Sequence, residues 1–384
     1  MIKSKKNELL PEGLKVLFPE EATKEELLSR KILDILFQYG YLLIKTPLME
    51  YQYNYNLSIL QPQSIKHEPF ILMEPETKKI LVIRPDITPQ IAKLASTKLA
   101  HVKRPIRLTY SGEVLRNIKN FYQSDRQFKQ IGAELIGSPY NNGLQEIITL
   151  IKVIIKDLKI KNTTIDFALP SLMKILENSI NFRRAEGKII KNAIENKNTN
   201  LIKNKKFEYI KKIIECSGTL KNAKNKFIQS KFPIKIKEVL ESFFQTLDLL
   251  KKKNPDLSMT VDITEGNSFL NYKNIGFKVY NKNSSDVIAI GGDYLLDNKE
   301  TGVGITLITN NIINSFKDIK KTKIYVQYGT PELTLNKFKK KNRIFIRELT
   351  PNKTYKIDAK IQKYDYILDK KGSFYKPKKS IKDE

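Results

Sequence analysis

Two extended runs, IRLTYSG (106–112) and RQFKQIGAEL (126–135), are joined by a polar stretch, NIKNFYQSD (117–125). Strands this close in sequence pair antiparallel, here as a hairpin with a long tip. Side chains alternate along a strand, so Ile131, Ala133 and Leu135 share one face, a core face. Arg126, Phe128, Gln130, Gly132 and Glu134 share the other. Gln130 and Glu134 flank a glycine, which leaves room above the backbone. A solvated face is the ordinary reading of this pattern. The floor of a polar pocket is the other.

The elements around the hairpin give the fold class. Thr23-Lys24-Glu25-Glu26 reads as a capping box, with Leu28, Ile32, Ile35, Leu36 and Tyr39 following at helical spacing and a stop at Gly40. Residues 41–51 are extended, with a turn at Pro47, and LVIR (81–84) is a short buried strand. Thr88-Pro89 opens a helix that runs to about Leu99, and another spans 144–158. Residues 171–255 are rich in Lys and Asn, with helical periodicity and no clear strand, and read as an inserted helical module. Strands are predicted at 163–169, 259–263, 275–280 and 287–290, a tight glycine turn at IGGDY (290–294), and a strand–helix segment at 302–314. The predicted fold is α+β, a mostly antiparallel sheet flanked by helices over 1–315. A small C-terminal α/β module with a charged tail covers 316–384, and its last dozen residues are expected to be disordered.

Composition narrows the function. No run of roughly eighteen apolar residues occurs, and the N-terminus lacks an apolar signal core, so neither a membrane span nor a signal peptide is expected. Cys216 is the single cysteine, and His67 and His101 are the two histidines. That excludes a disulfide framework within the chain and a cysteine-rich zinc site and argues against a His-based metal site; no cofactor and a cytoplasmic setting are expected. The net charge of +28 is mostly lysine spread along the chain with Asn and Ile, the mark of compositional drift and not of a nucleic-acid surface. Arginine is scarce, and half of it lies in one span, as Arg84, Arg104, Arg107, Arg116 and Arg126. Guanidinium forks suit carboxylates and phosphates.

IRPDITPQIAKLAS (83–96), RPIRLTYSGEVLRN (104–117), DRQFKQIGAEL (125–135), YKNIGFKVY (272–280) and IAIGGDY (288–294) occur in this order. Together they resemble the catalytic domain of class II histidyl-tRNA synthetases. More closely they resemble its non-synthetase paralogue, the regulatory subunit of ATP phosphoribosyltransferase. The resemblance implies a histidine pocket in which Gln130 and Glu134 contact the amino acid. It implies that Asp86 and Thr88 hold the ammonium group, that Tyr272 lines the pocket, and that Arg116 faces the carboxylate. Plainer roles compete. Asp86 and Thr88 can simply cap a helix, Arg116 can be a surface ion pair, and Tyr272 a core aromatic.

The resemblance also implies what is missing. Synthetases of this class hold ATP with several arginines and a neighbouring acid. Here Ile118 replaces that acid, and Ser124, Asn267 and Leu307 stand where arginines are expected. Asp293 replaces a basic residue in the glycine segment. Losing such preorganised charge costs several kcal/mol of transition-state stabilisation per group. The implied function is a non-catalytic regulatory subunit. It would activate a short-form ATP phosphoribosyltransferase catalytic subunit in a hetero-oligomer and sense L-histidine for feedback inhibition in the first step of histidine biosynthesis. The family also implies a homodimer through the class II interface near Pro47. The alternative is a divergent, active histidyl-tRNA synthetase.

Overall fold

Proline at a first helical position has no amide to leave unpaired, and α1 (Pro19–Gln38) starts there. Thr23 is therefore not the cap that the sequence suggests. It sits a turn inside the helix, its Oγ1 donating to the Pro19 carbonyl at 2.6 Å. The computed structural model describes residues 10–56, 69–117, 125–265, 269, 272–316, 321–340 and 342–377. The chain divides into two compact units between Phe316 and Lys317.

After α1 the first unit lays down β1 (Leu42–Leu43), β2 (Met49–Tyr51), α2 (Gln52–Asn56), β3 (Ile71–Met73), β4 (Ile80–Ile83) and α3 (Thr88–Ser96). The hairpin is β5 (Ile106–Leu115) and β6 (Gln127–Ile136), antiparallel, with Tyr110 opposite Gly132 and Leu108 opposite Glu134. Then come α4 (Tyr140–Asp157) and β7 (Thr163–Ala168). The inserted module holds α5 (Pro170–Ile180), α6 (Ala185–Glu195), α7 (Glu208–Glu215), α8 (Leu220–Gln229) and α9 (Ile234–Lys253). It is helical as expected, but it also contributes one strand, β8 (Ser217–Thr219), between α7 and α8. The unit closes with β9 (Met259–Asp262), β10 (Gly276–Asn281), β11 (Val287–Leu295), β12 (Thr301–Ile308) and α10 (Thr309–Ile313).

Nine strands form one sheet in the order β1-β5-β6-β12-β11-β10-β7-β9-β8. Among the described residues of this sheet, only β1/β5 and β7/β9 pair parallel. A separate sheet has the order β2-β4-β3. IGGDY is not a turn: β11 runs straight through it, and Gly291 and Gly292 pair with Phe277 and Gly276. The glycines serve packing. A Cβ at Gly291 would meet the Phe277 ring at 2.5 Å, and one at Gly292 the Tyr272 ring at 2.4 Å.

The two sheet faces divide as β6 alternates. Ile131, Ala133 and Leu135 pack with Leu28, Ile32 and Leu36 of α1 and Leu144, Ile147 and Ile151 of α4. On the other face Ile87, Ile91 and Ala95 from the α3 region meet Leu108, Tyr110, Phe128 and Tyr294. This face is not wet. Gln130 and Glu134 are each 1% exposed. The space that Gly132 clears is taken by Tyr110: a Cβ there would lie 2.2 Å from its hydroxyl and 2.7 Å from the Ile305 carbonyl.

The second unit is a small α/β module as read from sequence. β13 (Thr322–Val326), α11 (Glu332–Phe338), β14 (Arg343–Arg347), α12 (Tyr355–Ile361), β15 (Tyr366–Leu368) and β16 (Phe374–Tyr375) form a sheet of order β14-β13-β15-β16. β13 pairs parallel with both neighbours. Residues 378–384, within the tail expected to be disordered, lie outside the described residues.

Gly132→Ala should lower stability by about 1–3 kcal/mol, because the ring and a backbone carbonyl must both yield. Urea unfolding of the variant against the unmodified chain measures this, and Tyr110→Ala in the same background should recover part of the Gly132→Ala penalty.

Candidate functional site

A carboxyl taken out of water needs donors around it. Glu134, near the middle of the sheet, has three. The Tyr294 hydroxyl of β11 donates to Oε2 at 2.6 Å. The Thr88 hydroxyl, at the start of α3, donates to Oε1 at 3.1 Å, and the Tyr110 hydroxyl of β5 lies 3.5 Å from the same oxygen. Thr88 Oγ1 and Tyr110 Oη are 2.9 Å apart, and Tyr110 Oη is 2.9 Å from Thr306 Oγ1 of β12. Gly304, opposite Glu134 on β12, makes room for the carboxyl: a Cβ there would lie 1.8 Å from Oε2. Burial pushes the Glu134 carboxyl up to about 8, the three hydroxyls opposing and the Asp86 charge adding to the rise.

The other expected residues converge on the same place. Gln130 Oε1 accepts the Ile87 amide at 3.1 Å and so fixes the entry to α3. Asp86 Oδ1 accepts the Thr88 amide at 3.0 Å, so the helix-entry role that a plain reading gives Asp86 is real. Burial first, and then the charges of Asp86 and Glu134, hold the Tyr110 and Tyr272 phenols protonated. Tyr272 lies over Gly292 and meets the Phe269 ring edge-on, with centroids 5.6 Å apart. Burial, then Asp86 and Glu134, push its hydroxyl far above the ordinary phenol value. Arg116 is no free surface cation. Its Nε donates to the Pro85 carbonyl at 3.1 Å, and its guanidinium lies 4.9 Å from the Phe128 ring centre. Burial pulls it down, with the Asp86 charge opposing.

Three residues were not singled out from the sequence. Tyr110 and Tyr294 supply hydroxyls to Glu134, and Tyr55 of α2 is pushed up to about 12, by burial first and then by Asp86 and Glu50. Once β5 is paired with β6, a tyrosine opposite a glycine marks Tyr110. Tyr294 is the last letter of a segment misread as a turn.

Two of the expected phosphate-side positions are corrected. Leu307 belongs to the core behind the sheet, paired with Ile131, so it does not stand where a phosphate-holding side chain would. Asp293 is fully buried and accepts from the amides of Asn274 at 3.0 Å and Ile275 at 2.7 Å, and from Asn274 Nδ2 at 2.7 Å. It pins the start of β10 and replaces no phosphate contact. Ile118, Ser124 and Asn267 lie outside the described residues. Arg84, in the same span, is structural: it donates to the carbonyls of Glu113 at 2.8 Å and Thr46 at 2.9 Å.

The site thus gathers hydroxyls, one amide and two carboxyls, with the Arg116 guanidinium near Asp86. Such a mixture fits a zwitterion with a further polar group. Comparison with known proteins gives the family. The family model of histidyl-tRNA synthetases matches residues 13–312. The chain belongs to the histidyl-tRNA synthetase family. Its relatives include an ATP phosphoribosyltransferase regulatory subunit from Paramagnetospirillum magneticum, 25% identical over 94% of this chain and 96% of the relative. An ATP phosphoribosyltransferase regulatory subunit/histidyl-tRNA synthetase from Bacillus halodurans superposes with a TM-score of 0.75 at 18% identity, covering 96% of this chain and 99% of that one. A chain of the ATP phosphoribosyl transferase (HisG:HisZ) complex from Thermotoga maritima superposes at 0.56 and 19% identity, covering 74% of this chain and 97% of that one. The fold is the class II synthetase-like α+β fold that the sequence motifs imply.

The raised Glu134 carboxyl makes a pH prediction. A carboxyl whose folded value lies above its unfolded value contributes stability below about pH 4.5 and loses it as pH rises through about 8. Between about pH 5 and pH 9 the unmodified chain should therefore lose stability relative to Glu134→Gln, by on the order of a few kcal/mol. Urea unfolding of both proteins across that range gives the slope, and parallel curves would show that Glu134 does not titrate there.

Proposed function

We propose that this chain is a non-catalytic, histidine-sensing regulatory subunit that activates a short-form ATP phosphoribosyltransferase catalytic subunit in a hetero-oligomer. The observation that carries the reading is the Glu134 cradle, where Thr88, Tyr110 and Tyr294 hold a buried carboxyl beside Gln130 and Asp86. In this assignment Asp86 and Thr88 hold the ammonium of L-histidine, Arg116 its carboxylate, and Gln130, Glu134 and Tyr272 its polar remainder. The names of the regulatory-subunit relatives and of the Thermotoga maritima complex support the partner. The same relatives, named as regulatory subunits and not as ligases, support the lack of catalysis. An effector shifts an enzyme only through different affinity for its two states, so the pocket must differ between active and inhibited complexes.

A homodimer through the class II interface is part of the same reading. Leu42, Leu48, Met49, Ile71, Met73 and Ile80 are exposed on β1 to β4 and the turn at Pro47. Apolar side chains gathered this way suit a partner surface.

Gln130→Ala and Glu134→Gln should leave the holo-complex active while weakening histidine binding by about 1–3 kcal/mol, the cost of an unpaired buried polar group. The histidine dose–response of the assembled transferase reads this directly. Unchanged half-inhibition in both variants would remove the pocket from the sensing role.

A further inference from the structure

Beyond the pocket the same sheet face carries a second polar group. Lys278 of β10 is fully buried, a rare place for a lysine. It pairs with Glu265, and its ammonium stands 5.3 Å from the centre of the Phe269 ring. The carboxylates of Asp166, Asp262 and Glu265 lie within 4.8 Å of one another. Lys197, just past α6 of the inserted module, pairs with Asp262. Asp262 and Glu265 are thus each in an ion pair, and Asp166 accepts from the Thr260 hydroxyl. Burying such pairs costs desolvation, and a hydrophobic substitute of the same shape often does as well. Stability alone does not explain them.

Their position suggests a use. Gly304, Gly292 and Gly276 pair in one row across β12, β11 and β10, beside Glu134. Phe269 occupies the space over Gly276, where a Cβ would lie 2.3 Å from its ring, and Tyr272 occupies that over Gly292. The Tyr272 amide donates to the Phe269 carbonyl at 2.9 Å. Glu265, tied to Lys278, and Ile275, tied to Asp293, bracket these two aromatics. Tyr272 has no strand of its own to place it.

We infer that Lys278 and Glu265 are positioning residues of the amino-acid pocket: their ion pair seats Phe269, and through it Tyr272, over the glycine row. The inference rests on the histidine-pocket reading for its ligand and on the structure alone for its geometry. Lys197 and Asp262 extend the same ion-pair cluster to the inserted helical module.

The test uses the full chain with Lys278→Met, the neutral pair Lys278→Met/Glu265→Gln, and Lys278→Arg. Amide hydrogen exchange is read at Tyr272 and, as control, at Ile131 and Ala133 of β6. In the two neutral variants exchange at Tyr272 should rise by about tenfold or more with β6 unchanged, and L-histidine should bind about tenfold more weakly. Lys278→Arg should restore most of both effects. In a Tyr272→Ala background Lys278→Met should weaken histidine binding no further. Unchanged exchange at Tyr272, or equal loosening at β6, overturns the inference. If the unmodified chain fails to bind histidine while exchange at Tyr272 still responds, the histidine reading falls and the positioning role stands.

Discussion

Glu134 cannot be satisfied by any one element. Its donors come from the start of α3, from β5 and from β11, and its space comes from a glycine on β12. Each hydrogen bond is worth only about 1 kcal/mol net, but an unmet buried carboxyl costs several times that. The register of four strands and the entry to α3 are therefore tied to one side chain. A slip of one residue in β6 would send Glu134 into the apolar layer of α1 and α4 and bring Leu135 under α3. The glycines follow from the same constraint. Gly132 admits the Tyr110 ring and Gly304 the carboxyl itself.

That arrangement suits one kind of chemistry and opposes another. Two acids, an amide and phenols can surround a small zwitterion. A site that transfers to or from a nucleotide needs clustered positive charge at the leaving phosphates. Of the two arginines described near the pocket, Arg84 is committed to the fold and Arg116 is anchored by it through Nε and the ring of Phe128. Arg84 joins the turn at Pro47 to β5, and Arg116 holds the Pro85 carbonyl and packs on Phe128. The remaining positive charge of the chain is largely lysine, a mobile point charge that does not replace a rigid fork.

Much of this was legible in the sequence, and the failures have physical causes. The alternation of RQFKQIGAEL identified the core face correctly, and the motif order gave the fold. Whether the polar face was wet depended on what covers it, and that cover, α3, is a tertiary contact. The capping box lost to Pro19 because a proline start needs no side-chain cap. Gly291-Gly292 looked like a turn because glycine permits one. Their smallness serves the Phe277 and Tyr272 rings instead. Leu307 and Asp293 were placed on the phosphate side by alignment alone, and strand alternation puts them away from the pocket. Tyr110 and Tyr294 became visible only once strand register was known.

The most direct test of a histidine pocket centred on Glu134 is calorimetric titration of L-histidine into the isolated chain and into Thr88→Val. That variant removes the hydroxyl joining Glu134 to Tyr110. Saturable binding of one histidine per chain is expected, weakened by about tenfold in Thr88→Val. No saturable binding to the unmodified chain, or equal affinity in both proteins, would contradict the account.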